Sequence, residues 1–171
     1  MSVIPLLRHR QPDSVFAYRA GLAIPVSQFL HDVSQLAQTL PAQGYILNLC
    51  SDRYRFAVCF AAALTRGQTS LLPPNYTPSF VARLLQSYPD LYCLADGVVD
   101  LHGIEIMQYP QLQDADQSVH VIPNIPAQQR AALVFTSGST GQPVAHAKSW
   151  ASLCMGAAAE AASLEIAPDT G

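Results

Sequence analysis

The sequence predicts an α/β fold, a parallel sheet flanked by helices with additional short β segments. Three observations carry that expectation. Between Phe29 and Leu94, helical and strand-like apolar spacings alternate three times, which puts helices against the faces of a parallel sheet. From Asp96 to Ile125 the pattern changes to short β segments joined by polar turns. Ala131 to Phe135 is then a continuous apolar run of strand length, which suits a buried parallel strand.

The elements follow in order. Val15 to Arg19 and Leu22 to Ile24 flank Ala20-Gly21 as a small hairpin. Ser27 can cap a helix in which Phe29, Leu30, Val33, Leu36, Ala37 and Leu40 keep helical spacing until Pro41 stops it. Gly44 releases a strand over Tyr45 to Leu49. Ser51 or Asp52 caps a second helix from about Arg53 to Thr65, which Arg66-Gly67 ends. That helix is apolar nearly all round its second half, so cover on more than one side is expected. Thr69 to Leu72 reads as a strand, and Thr77-Pro78 opens a third helix that runs to about Ser87. Leu91 to Leu94, Val98 to Leu101, Ile104 to Met107 and Val119 to Ile122 read as further β segments. Val144 to Lys148 reads as a strand, and Trp150 to Ser163 as an alanine-rich helix.

Composition narrows the function classes. Hydrophobic residues make up 50% of the 171 and charged residues 12%, about half the ordinary charged share. The shortage predicts apolar faces that expect cover, from another subunit in an oligomer or from further chain. A net charge of −3 argues against nucleic acid or an anionic membrane as partner. Cys50, Cys59, Cys93 and Cys154 show no C-x-x-C spacing, and Cys50 and Cys59 lie in apolar surroundings. They read as reduced residues, which predicts a cytoplasmic location. The five histidines show no metal-ligand spacing, so no metal site is expected. The longest apolar run, Phe56 to Leu64, is far below the ~20 residues that cross a bilayer.

The chemistry concentrates in Thr136-Ser137-Gly138-Ser139-Thr140-Gly141-Gln142-Pro143. An apolar strand runs into alternating hydroxyls and glycines, closed by a proline. Small residues let backbone N–H groups turn toward one point, and the hydroxyls add donors around it. Such a loop cradles a polyanion, most economically a nucleotide phosphate. A stretch of this composition also suits a flexible connector. The P-loop pattern G-x-x-x-x-G-K-[ST] fails, because Pro143 falls where its second glycine belongs.

Phe135 through Pro143 resemble, without a gap, the phosphate-binding motif [YF]-T-S-G-S-T-G-x-P-K-G of the AMP-forming adenylating enzymes. That superfamily includes acyl-CoA synthetases and the adenylation domains of peptide synthetases. The likeness breaks at Val144, where the family lysine is expected, and at Ala145, where the glycine is. The order of elements from Val26 onward also looks like the opening of the family's large domain. The resemblance implies that residues 1–171 are the N-terminal portion of an adenylation (AMP-binding) large domain. The remainder of that domain and the C-terminal domain would be absent, leaving a fragment that does not turn over alone.

It further implies ATP-dependent activation of a carboxylic acid, a fatty acid among the candidates, as acyl-AMP. Transfer to a thiol, CoA or an acyl carrier protein's pantetheine, would follow. ATP and Mg2+ are the cofactors implied, with the metal ligand outside this chain. Thr136, Ser137, Gly138, Ser139, Thr140 and Gly141 would bind the ATP phosphates. If Val144 to Lys148 is a strand, residues 144, 146 and 148 share a face. His146 or Lys148 could then approach the place that Val144 leaves without a cation, and Lys148 is the candidate catalytic residue. An ordinary exposed lysine is the alternative. A non-catalytic anion-binding or protein-interaction module derived from the same fold is the second reading, and Val144 is its support. Trp150 reads as core or interface, Arg53-Tyr54-Arg55 as a solvated helix start, and Asp114-Ala115-Asp116 as a polar turn without a catalytic role.

Overall fold

A computed structural model describes residues 2–8, 11–113, 121–136 and 144–164. The described elements run β1 (Val3–Pro5), β2 (Val15–Arg19), β3 (Leu22–Pro25), α1 (Val26–Thr39), β4 (Tyr45–Leu49), α2 (Arg53–Thr65) and β5 (Thr69–Leu72). They continue with α3 (Pro78–Ser87), β6 (Leu91–Ala95), β7 (Glu105–Gln108), β8 (Asn124–Pro126), β9 (Arg130–Thr136), β10 (Val144–Ser149) and α4 (Trp150–Ser163). Six strands form one sheet in the order β10-β9-β5-β4-β6-β7. Five of them are parallel, and β10 returns antiparallel to β9. The expected helix-flanked parallel sheet is therefore present. Its short β segments supply the edge strand β7 and a separate pair, β1 with β8.

Alternation along the central strands divides the core into two layers, because successive side chains point to opposite faces. Ile46, Tyr92 and Leu94 join α1 and α2 residues such as Val33, Leu36 and Val58 on one side. Leu47, Leu71, Cys93 and Leu133 join Phe80, Val81 and Leu84 of α3 on the other. Both faces of β4 and β6 are covered, which explains why their sequences are apolar apart from Asn48. The second half of α2 is buried on several sides, as its all-round apolarity predicts.

The turns have identifiable causes. Ala20 and Gly21 both take positive φ, 50° and 81°, which suits the twist of the two-residue β2–β3 hairpin. Asp52 caps α2, its Oδ1 accepting the Arg55 N–H at 2.9 Å. Gly67 leaves the helix with φ 75°.

Three expectations are corrected. Ser27 does not cap α1, which begins at Val26 behind Pro25 with no side-chain cap. The chain turns directly out of β3, so proline's fixed φ sets the entry instead. Val98 to Leu101 is irregular, and Val98 is fully exposed. β7, and not this segment, takes the place beside β6. Val121 and Ile122 are also irregular, while residues 119 and 120 lie outside the described residues. The strand of that region is β8, displaced a few residues onward to pair with β1.

Candidate functional site

All five parallel strands end along one edge of the sheet, at Leu49, Leu72, Ala95, Gln108 and Thr136. β4 connects toward β5 on one side and β6 toward β7 on the other, so their carboxyl ends form a topological switch point. There the carboxylate of Asp96 ties the Ser51-Asp52 turn down. It accepts from the Ser51 N–H at 2.8 Å, the Ser51 hydroxyl at 3.0 Å and the Asp52 N–H at 3.0 Å. Burial alone would raise the acid's pKa. The three donors, with Arg55 nearby, hold it below the ordinary carboxylate value. Sequence reasoning missed Asp96, although an acid directly after a buried strand was the available signal.

The motif strand β9 ends at the same edge. Phe135 turns into the α3-side core, edge-on to Phe80 at 5.9 Å, and anchors the strand end. Thr136 emerges exposed at the tip. Ser137, Gly138, Ser139, Thr140 and Gly141, assigned above to phosphate binding, lie outside the described residues, as do Gln142 and Pro143. β10 resumes at Val144. In the β9–β10 register Val144 faces Thr136, His146 faces Val134 and Lys148 faces Ala132. Directly paired residues share a face, so Thr136, Val144, His146 and Lys148 all lie on one side of the ladder, away from α3.

Within that set the structure brings two side chains together. His146 Nε2 lies 3.1 Å from Thr136 Oγ1, with either atom able to donate. Lys148 stands further along the strand and lines a groove of about 520 Å³ with Phe60, Trp150, Leu153, Cys154 and Glu160. Its backbone is about 13 Å from that of Val144, at about 3.3 Å per strand residue.

The other residues of interest have structural roles. Trp150 packs against the core and donates from its indole nitrogen to the Ile4 carbonyl at 3.3 Å. Tyr54 is buried and donates to Asp32 Oδ2 at 2.6 Å. Arg55 stacks over the Tyr109 ring. Asp114, Ala115 and Asp116 lie outside the described residues. Among the described residues no three histidine, cysteine or carboxylate side chains converge as a metal site. No described helix is long and apolar enough to cross a membrane.

Comparison with known proteins gives a fold-level answer. No family model matches the sequence, and no curated protein matches it. Solved structures do match. The o-succinylbenzoate CoA synthetase of Bacillus subtilis, in complex with ATP and magnesium, superposes with a TM-score of 0.72 at 13% identity. The match covers 91% of this chain and 45% of that one. The same enzyme with its acyl-adenylate intermediate gives 0.70 at 14% identity, over 92% and 44% of the two chains. The N-terminal subdomain of Klebsiella oxytoca NpsA gives 0.61 at 17% identity, over 81% and 38%. This chain therefore spans less than half the length of these neighbours. Over most of its length its architecture matches the N-terminal part of the adenylating-enzyme fold.

Proposed function

We propose that this chain contributes the ATP-phosphate site of an AMP-forming acid–thiol ligase. The reaction joins a carboxylic acid to ATP as acyl-AMP, releases pyrophosphate, and passes the acyl group to a thiol of CoA or of a carrier protein. One observation carries the reading. Phe135 and Thr136, which open the motif, end β9 at the carboxyl edge of a sheet that shares its fold with ATP- and acyl-adenylate-bound enzymes.

A carboxylate is a poor electrophile, and adenylation supplies a leaving group. The protein's share is positioning and charge stabilisation around the phosphates. Thr136, Ser137, Ser139 and Thr140 donate hydroxyl protons, and Gly138 and Gly141 allow close backbone approach. Each hydroxyl bond to a charged oxygen contributes about 1.5–3 kcal/mol. Lys148, on the face of the missing family lysine but four residues further down β10, is the candidate cation of this reading. Magnesium enters with ATP, and no step through it is assigned to residues of this chain. Since less than half of the neighbours' length is spanned, the chain alone is expected not to turn over.

ATP–pyrophosphate exchange by the complete gene product, across a panel of fatty, aryl and amino acids, tests the reading. Exchange with any acid supports it, and none with all of them favours the non-catalytic binding module. That second reading rests on Val144, which removes the lysine charge. Lys148→Ala in the complete protein is expected to raise the ATP KM or lower turnover. Unchanged values remove Lys148 from the reaction.

A further inference from the structure

We propose that the pocket between α1, the start of α2 and the segment after β7 binds a small zwitterion, an α-amino acid with an apolar side chain. Its basis is a buried acid without a counter-ion that shares this pocket with two guanidinium groups. The site has no residue in common with the motif at the end of β9.

Asp32 is 6% exposed and lines a cavity of about 520 Å³ together with Gln28, Tyr54, Arg19, Arg55 and Tyr109. Its two oxygens accept from Gln28 at 2.7 Å and from Tyr54 at 2.6 Å, and both donors are neutral. Burial first, then Asp32 itself, raises the Tyr54 pKa, so the phenol supplies a hydrogen bond and not a charge. Among the described residues no cation lies within ion-pair distance of Asp32. Acids this buried are ordinarily paired, because desolvation penalises the bare charge. A carboxylate has about four acceptor positions, and these two donors leave room for an ammonium group from the cavity.

Two cations line the same pocket. Arg19 lies over the Tyr54 ring at 5.8 Å and Arg55 over the Tyr109 ring at 5.1 Å, which holds both guanidiniums in place. Arg19 uses only Nε on Asp52, at 2.9 Å, and Arg55 Nη1 reaches Asp96 only at 3.9 Å. Among the described residues the terminal nitrogens of Arg19 and the guanidinium of Arg55 donate no hydrogen bond, and such a fork matches a carboxylate. Asp52 and Asp96 offset the two arginines, so the pocket keeps the charge of Asp32 and does not favour a bare anion. A ligand that carries both charges satisfies both ends, with its ammonium on Asp32 and its carboxylate on arginine. The Tyr54 ring sets the spacing, with Arg19 over its face and Asp32 at its hydroxyl. Ile24, Pro25 and Leu112 add apolar surface to the lining, which suits an apolar side chain.

The test titrates the 171-residue chain by calorimetry with three probes of one shape. These are L-phenylalanine, 3-phenylpropionate, which lacks the ammonium, and phenethylamine, which lacks the carboxylate. L-Phenylalanine is expected to bind roughly 10- to 150-fold more tightly than either, one hydrogen-bonded charge read as an equilibrium ratio. Equal affinity for L-phenylalanine and either analogue overturns the proposal. Asp32→Asn, which keeps the shape and removes the charge, is expected to weaken L-phenylalanine by that factor and leave 3-phenylpropionate within about twofold. Arg19→Gln with Arg55→Gln is expected to weaken L-phenylalanine and spare phenethylamine. Unchanged L-phenylalanine affinity in Asp32→Asn, or an equal loss for all three probes in a variant whose circular dichroism is native, overturns it too. Should Asp32→Asn fail to fold, the three-probe comparison on the unaltered chain decides alone. No binding of L-phenylalanine at millimolar concentration by the unaltered chain overturns the site and leaves the phosphate-site reading standing.

Discussion

Tyr54→Phe isolates one buried hydrogen bond whose cost can be worked out in advance. Asp32 is 6% exposed, with Oδ1 accepting from Gln28 at 2.7 Å and Oδ2 from Tyr54 at 2.6 Å. The Tyr54 ring packs edge-on against Phe16 and Phe29, with centroids 6.4 and 6.3 Å away. Phenylalanine keeps those ring contacts, so the substitution removes the hydroxyl and little else. What remains is a buried acid that has lost one of its two donors. A bond to such a group contributes about 1.5–3 kcal/mol. For a chain of this size each kcal/mol lowers the melting midpoint by about 2–4 °C, giving an expected drop of roughly 3–12 °C. Thermal unfolding followed by circular dichroism, with urea titration at fixed temperature, measures it. Asp32→Asn is the control, because a neutral acceptor returns the bond to the ordinary net value of about 0.5–1.5 kcal/mol. In that background the cost of Tyr54→Phe should fall accordingly. A loss below about 0.5 kcal/mol in the unaltered background, the scatter of neutral surface changes, refutes the idea that Asp32 needs the tyrosine.

Three further outcomes are expected. Burial opposes ionisation of Asp52 and Asp96, but backbone donors outweigh it and hold both below the ordinary value of 3.8. Their stabilisation is therefore complete above about pH 4 and is lost as pH falls through the lower folded values. Urea midpoints from pH 6 to pH 2.5 should show this decline, and Asp96→Asn should flatten it; a variant as acid-sensitive as the parent removes Asp96 as a source. Gly67→Ala should cost about 1 kcal/mol, because φ is 75° and the position is otherwise open, so only backbone strain is added. An unchanged midpoint in urea contradicts that. The Cys50 thiol and burial push the Cys59 thiol well up, and burial first, then Cys50, pushes Cys93 up to about 12. Only Cys154 is partly exposed, so Ellman's reagent should label one thiol quickly in the native protein and none in Cys154→Ser; two fast thiols would mean that the core opens.

The sheet was legible because local signals and burial agree along it. β6 and the Ala131 to Phe135 stretch of β9 are apolar without a break, β4 is interrupted only by Asn48, and each lies between neighbours in a sheet covered on both faces. Asp52 and Gly67 mark the ends of α2 by side-chain chemistry and by φ, which the sequence states outright. Val98 to Leu101 has the same composition as a strand, yet β7 takes the place beside β6. Nothing local could reveal that, since the competitor, β7, comes later in the chain. The antiparallel return of β10 was hidden for a related reason. Its residues read as a strand whichever way it runs.

The candidate site divides along the same line between local pattern and register. Strand alternation alone puts Val144, His146 and Lys148 on one face, and that much follows from sequence. Which of them meets Thr136 depends on how many residues separate the two strands before pairing resumes. A shift of one residue would turn Ala145 and Ala147 toward the hydroxyl and leave no polar group beside it. The observed pairing of Val144 with Thr136 instead sets His146 on the diagonal, at 3.1 Å, and leaves Lys148 four residues down the strand against α4. The register, and not the alternation alone, therefore decides that His146 rather than Lys148 stands beside the hydroxyl at the end of β9.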